Sequence, residues 1–390
     1  MSQPNLFLKV VAITSETSDA ITIHLEHPDK TAIPYQAGQF LTLIVPINGK
    51  KERRAYSLCS SPSEQPRLSV TVKRVAGGLL SNYLLNKLKV GDTLEVLAPM
   101  GNFNFVPDAT FSRTIVLIGA GSGITPLMSI AKSVLQQELN SRVLLIYGNR
   151  DESSVIFKEQ LKDLESQNPD RFRVTHIYSQ SSDSTSAKSS GSFLSKLFGK
   201  SKNKEVSTVI PEEALAYYTG RLNQTMLIKI LENLQVLDLP ETYYYMCGPE
   251  GFMQEAKAAL QILHVPATQV FKESFVSSGH NAADAGAGIT LVVGEPNEIQ
   301  DQIVTIIYEG SEYKVEVPQS ETILEAALNQ DIDLPFSCQA GLCTACRGKC
   351  LSGKVHLDER EGLSDAEMAE GYVLTCVGHP LTNDVIIEIS

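Results

Sequence analysis

What the chain lacks narrows its class first. No apolar run reaches the roughly 18 residues that would suggest a transmembrane helix, so no membrane span is expected. The opening residues MSQPNLFLKVV have no basic stretch followed by a long apolar one, so no secretory leader is expected either. An excess of positive charge is also missing. The formal net charge is −12, which argues against nonspecific nucleic-acid binding and leaves only local basic clusters to hold nucleotide phosphates. Cysteine is sparse, with seven in 390 residues, and three of them crowd at metal-ligand spacing. That points to ligation in a reducing compartment, the cytoplasm, rather than to a disulfide framework. What remains is an ordinary globular composition, 43% hydrophobic and 20% charged, long enough for two or three domains at about 100–200 residues each.

The crowded cysteines are Cys338, Cys343 and Cys346, with Cys376 downstream. C-x4-C-x2-C with a remote fourth cysteine is the plant-type [2Fe–2S] spacing. Cys350 competes with Cys376 for the fourth place, although the opening C-x4-C does not fit a bacterial ferredoxin run and no proline follows Cys350. Four cysteines would also satisfy a tetrahedral zinc. Gly341 and Ala345 are small, as a loop folded closely over a cluster requires.

Upstream, residues 20–26, 40–45 and 68–73 alternate apolar and polar side chains between turn residues, so they are expected as half-buried strands of a closed barrel. Residues 73–84 have the pattern of a strand, a glycine turn and a short helix beginning near Gly78 and Ser81. The first backbone N–H groups of such a helix have no intrahelical partner and suit a phosphate. Residues 114–118 are wholly apolar, the mark of a strand buried on both faces, and lead into the glycine loop of residues 119–126 and a helix expected to start near Pro126. Further apolar strands alternating with helical patterns predict a parallel α/β sheet with its ligand beyond the carboxyl ends. Residues 181–210 are Ser-rich and are expected to form a flexible insertion, and 277–300 a small-residue linker. From 302 on, a hairpin about Glu309-Gly310 and a capping box at Thr322 and Glu325 open the last domain.

Taken together, Arg54-x-Tyr56-Ser57, Gly78-x-x-Ser81, the glycine loop and Cys247-Gly248-Pro249 resemble the ferredoxin–NADP reductase superfamily, here followed by a plant-type ferredoxin domain. The resemblance implies a multidomain fold: an antiparallel β-barrel FAD domain (1–110), an α/β parallel-sheet NAD(P) domain (111–276) and a β-grasp ferredoxin domain (301–390). It implies that Arg54 pairs with the FAD pyrophosphate, Tyr56 stacks on the flavin ring beside Ser57, and Gly78, Leu79, Leu80 and Ser81 cap the pyrophosphate. Gly119, Gly121, Gly123, Thr125 and Pro126 would hold NAD(P)H. Arg150 would meet its adenosine side, and Cys247, Gly248 and Pro249 would lie beside the nicotinamide. Cys247 and Glu273 are the implied catalytic residues, Phe275 would shield the flavin, and Cys376 would be the fourth cluster ligand after Cys338, Cys343 and Cys346. Many NADPH-using relatives carry a Ser-Arg pair where this chain has Ser179-Gln180, so NADPH is placed modestly ahead of NADH, chiefly on Arg150. The domain order resembles the reductase components of multicomponent oxygenases, the phenylacetyl-CoA epoxidase reductase type in particular. That implies electrons passing from NAD(P)H through FAD and the [2Fe–2S] cluster to an oxygenase or other one-electron acceptor. A membrane desaturase or hydroxylase as acceptor, and a redox-sensing adaptor without turnover, are the alternatives.

Overall fold

The computed structural model describes residues 5–180, 217–237, 239, 241–275, 299–360 and 362–389. The insertion expected at 181–210 and the linker expected at 277–300, apart from its last two residues, lie outside the described residues. The chain forms two compact units. One takes in Met1–Pro107, Thr125–Ser133 and Lys272–Ser390, and the other Asp108–Ile124 and Val134–Phe271.

In the first unit, six strands build an antiparallel sheet: β1 (Leu6–Thr17), β2 (Ala20–Glu26), β3 (Phe40–Ile47), β4 (Lys50–Ser57), β5 (Leu68–Lys73) and β6 (Thr93–Met100). Their order is β4-β3-β6-β1-β2-β5. Leu58, just past β4, bridges Val70 of β5, and the Cys59 N–H donates to the Ser69 carbonyl at 2.8 Å. The two outer strands therefore meet and the sheet closes into a barrel, leaving little exposed edge. Alternation turns Leu8, Ile23, Leu25, Leu41, Leu43 and Val70 inward, each at 0% exposure. Burying one such side chain is worth roughly 1.5–3 kcal/mol. A one-residue slip would turn the whole set outward, so the register is strongly determined. Helix α1 (Leu79–Lys87) follows β5.

The second unit holds a sheet from β7 (Thr114–Ala120), β8 (Arg142–Asn149), β9 (Phe172–Tyr178), β10 (Tyr217–Thr219), β11 (Thr242–Gly248) and the start of β12 (Val270–Ser274), in the order β10-β9-β8-β7-β11-β12. The pairs from β10 through β11 are parallel. In the chain between these strands come helices α2 (Ile124–Gln137), of which Thr125–Ser133 belongs to the first unit, α3 (Lys158–Gln167), α4 (Gln224–Asn233) and α5 (Glu250–Ile262). Ile115, Val116, Leu117 and Ile118 are all at 0% exposure, as a strand covered on both faces requires. Helix α2 begins two residues earlier than Pro126 suggested, because Gly121–Gly123 already coil as a 3₁₀ turn that runs into it. Pro126 falls third in the helix, where an N–H would have no intrahelical acceptor anyway.

The C-terminal part returns to the first unit. Its sheet takes β13 (Gln302–Tyr308), β14 (Ser311–Val317), β15 (Arg347–Ser352), β17 (Tyr372–Leu374) and β19 (Ile386–Ile389) in the order β14-β13-β19-β15-β17, and β16 (Val355–Leu357) pairs with β18 (Gly378–Pro380). β13 and β14 form the expected hairpin, and β13 lies parallel to β19. Helix α6 (Ile323–Asn329) packs its Ile323, Leu324, Ala326 and Ala327 into the core. The Thr322 hydroxyl accepts from the Glu325 N–H at 3.2 Å, and the Glu325 carboxylate accepts from the Thr322 N–H at 3.0 Å. A short helix, α7 (Asp365–Ala369), lies before β17. A mixed sheet grasping one helix is the β-grasp arrangement.

Candidate functional site

The four predicted cysteine ligands come together. Cys338, Cys343 and Cys346 sit on the loop between α6 and β15, and Cys376 in a 3₁₀ turn directly after β17. Cys338 is within hydrogen-bonding reach of both Cys343 and Cys376, and Cys376 of Cys346. Accepting from its neighbours holds the Cys338 thiol far down, at about 2, whereas Cys343 and Cys376, cast as donors, are pushed well up. Cys343, Cys346 and Cys376 are almost wholly buried. The Thr375 hydroxyl and N–H both donate to the Cys346 carbonyl at 3.1 Å, tying the remote ligand to the loop. The Ala340 N–H points at the Cys338 sulfur at 3.5 Å, the kind of N–H···S contact that tunes a cluster. A donor set of four converging sulfurs fits a thiolate-bound iron–sulfur centre. Cys350 stands apart on β15 and gives its thiol to the Ser352 carbonyl at 3.1 Å.

Glycine at 341 is also required by its own backbone and its neighbours. Its φ is +69°, and an added Cβ would lie 2.8 Å from the Glu359 Cβ and 2.9 Å from the Glu359 carbonyl. The loop is therefore pressed against the chain around Glu359, and the Gly362 N–H donates to the Gly341 carbonyl at 2.7 Å.

On the barrel, Arg54, Tyr56 and Ser57 lie on β4. Arg54 is exposed, with its guanidinium on the Arg53 carbonyl at 2.7 Å and 3.6 Å from Glu52. Tyr56 packs part of its ring on the barrel core, and burial pushes its hydroxyl up to about 12. Gly78 is the N-cap of α1, and a side chain there would meet the Ser81 hydroxyl at 2.8 Å. The helix offers no acceptor to the N–H groups of Leu79, Leu80 and Ser81. Such unpaired donors at a helix start, and an exposed guanidinium on β4, are each of the kind that holds a phosphate.

In the second unit, the strand order reverses between β7 and β11, the crevice where open α/β sheets bind ligands. Gly119 pairs with Cys247 across it. Gly121 has φ +55°, and a Cβ on Gly123 would sit 2.1 Å from the Cys247 carbonyl oxygen, so only glycine fits. The Tyr147 hydroxyl donates to the Gly121 carbonyl at 2.9 Å and steadies the loop. Cys247 is at 0% exposure, Gly248 ends β11, and Pro249 is the N-cap of α5. Thr125 and Pro126, which belong to the first unit, lie in the first turn of α2. Arg150 follows β8 and is exposed, its carbonyl accepting from the Gln180 N–H at 2.8 Å.

Glu273, on β12 within the first unit, is half-buried and accepts from the Ser57 hydroxyl at 3.3 Å. Burial, with the Cys338 sulfur nearby, pushes its carboxyl up to about 8, so it holds a proton at neutral pH. Phe275 is 44% exposed. Sequence reasoning missed Arg53, which differs from Arg54 only in strand parity. Arg53 is buried and forks onto Asp333 at 2.6 and 3.0 Å.

Three domain profiles match the chain: an oxidoreductase FAD-binding domain over residues 7–105, an oxidoreductase NAD-binding domain over 117–205 and a 2Fe-2S iron-sulfur cluster binding domain over 306–381. One subunit of the 1,2-phenylacetyl-CoA epoxidase of Escherichia coli is 34% identical over 387 residues, 98% of this chain and 96% of that protein. The ferredoxin reductase component of 3-ketosteroid-9-alpha-monooxygenase from Mycobacterium tuberculosis is 35% identical over 389 residues, 97% of this chain and 94% of that protein. Among solved structures, phthalate dioxygenase reductase shares the fold with a TM-score of 0.58 at 23% identity, covering 99% of this chain and 98% of that one.

Proposed function

The chain belongs to the oxygenase reductase components that join FAD-binding, NAD-binding and [2Fe–2S] domains in one polypeptide, and from that premise we propose how its residues divide the work. The protein is an oxidoreductase. Its partner in our reading is the oxygenase component of a multicomponent system such as a phenylacetyl-CoA epoxidase. The domain limits follow the sequence reading: 1–110, 111–276 and 301–390. When bound, FAD supplies a two-electron acceptor for NAD(P)H and the [2Fe–2S] cluster a one-electron exit.

The residues then take these roles. Arg54 and the N–H groups of Leu79, Leu80 and Ser81 hold the FAD pyrophosphate, with Gly78 leaving room for it, and Tyr56 lies against the ring beside Ser57. Gly119, Gly121, Gly123, Thr125 and Pro126 hold the NAD(P)H pyrophosphate at the head of α2. Arg150 faces its adenosine end, which favours NADPH over NADH. Cys247, Gly248 and Pro249 orient the nicotinamide. Glu273 keeps a proton close to the flavin strand, and Phe275 covers the ring. Cys338, Cys343, Cys346 and Cys376 hold the cluster.

The observation that carries this reading is the convergence of those four sulfurs in the same compact unit as the strand bearing Arg54 and Tyr56. No disulfide joins the seven cysteines, which leaves the four proposed ligands available to a cluster. Among the described residues no helix is long and apolar enough to cross a membrane. The test is electron paramagnetic resonance of purified protein frozen after anaerobic addition of NADPH or NADH. A reduced-cluster signal that needs bound FAD is expected, stronger at early times with NADPH. A cluster that NAD(P)H cannot reduce would refute the proposal.

A further inference from the structure

The two faces of the β3–β4 ribbon are unequal in a way the barrel alone does not explain. Opposed residues share a face, and the register sets Thr42 opposite Ala55 and Ile44 opposite Arg53. By parity these residues point away from the barrel core, where Leu41 and Leu43 lie. Outward-facing side chains on a barrel meet water, yet Thr42 is at 0% and Ile44 at 2% exposure. The segment that leads into the first cluster cysteine meets this face at Thr42 and Arg53. Arg53 gives Nη1 and Nη2 to the two oxygens of Asp333 at 2.6 and 3.0 Å. Its guanidinium also lies over the Phe336 ring, 5.0 Å from the centroid. The hydroxyls of Thr42 and Ser337 hydrogen-bond, both buried. Ser337 precedes Cys338, and Phe336 belongs to the C-terminal core.

We propose that the Arg53–Asp333 fork, with the Thr42–Ser337 hydroxyl pair, is a latch that sets the cluster loop against the flavin-motif strand, making Arg53 a positioning residue for electron passage from flavin to cluster. This rests on the electron route given above. The residue types suit the task. A guanidinium fork fixes both distance and angle on a carboxylate, which a lysine would not do. Stacking on Phe336 fixes the plane of the same guanidinium. Arg53 neighbours Arg54 in β4, so the latch and the expected phosphate contact share one strand. Asp333 and Cys338 are five positions apart on the other side, leaving little slack between latch and cluster.

The test uses the holoprotein with FAD and cluster loaded. Arg53→Met keeps the stem and removes the fork, and Asp333→Asn removes the charge from a carboxylate whose side chain is 62% exposed, so folding is preserved there. In stopped-flow, the step from reduced flavin to cluster should slow about tenfold in each, as expected if the docked, competent fraction falls by that factor. The double variant should slow no further, and flavin reduction by NADPH should be unchanged. Hydrogen exchange of residues 333–340 should quicken in both variants. Wild-type transfer with unaltered exchange in Arg53→Met and Asp333→Asn would overturn the latch, as would losses that add in the double variant. A wild type whose flavin is reduced while its cluster stays oxidised would instead overturn the electron route itself, and the latch with it.

Discussion

Replacing Glu273 by Gln isolates the most perturbed carboxyl of the first unit. In the folded protein this group titrates at about 8 instead of 4.5, chiefly because it is buried. Below pH 4.5 both folded and unfolded chains hold the proton. Between 4.5 and 8 only the folded chain does, so folding takes up a proton and stability falls as pH rises. Above 8 the loss is complete. At about 1.4 kcal/mol per pH unit the ceiling is roughly 5 kcal/mol. Water reaching the half-buried side chain lowers this to roughly 2 kcal/mol. Gln keeps an acceptor for the Ser57 hydroxyl but cannot ionise. Thermal unfolding followed by flavin fluorescence should therefore show the wild type losing roughly 4–8 °C relative to Glu273→Gln between pH 5 and 8.5. Parallel curves across that range would show that Glu273 does not hold an extra proton in the folded chain.

The cluster and nucleotide sites yield two further predictions. Cys376→Ser should abolish the cluster absorbance and keep FAD, while Cys350→Ser, on a strand and bonded to Ser352, should keep both; the reverse pattern would show the ligand set to be wrong. Gly123→Ala would push a methyl into the Cys247 carbonyl, costing about 1–3 kcal/mol, so KM for NADPH should rise at least tenfold with FAD and cluster content intact, as read by steady-state kinetics and absorbance.

Local patterns carried most of the fold. The alternation at residues 20–26 and 68–73, flanked by turn residues, coincides with β2 and β5 to the residue, because period-two burial is written in the chain itself. The Thr322 box and the cysteine spacing are equally local. What escaped depends on partners far away. Arg53 and Arg54 are adjacent and chemically alike, and only a carboxylate 280 positions on separates their roles. Gly341 was legible as small, but its positive φ and the chain at Glu359 pressing on it were not. The proton on Glu273 depends on burial, which a strand-end Glu does not announce. Helix α2 starts ahead of Pro126 because the glycines before it coil into the helix instead of standing as an open loop.

Passage of electrons from NAD(P)H to a flavin and out through the four-cysteine cluster of one chain can be followed by anaerobic stopped-flow absorbance of the holoprotein mixed with NADPH, and separately with NADH. The flavin bands should bleach first and the cluster bands follow in the same molecule at a rate independent of protein concentration, with NADPH the faster donor. Cluster bleaching that precedes flavin reduction, or that never occurs, would rule out this order of electron transfer.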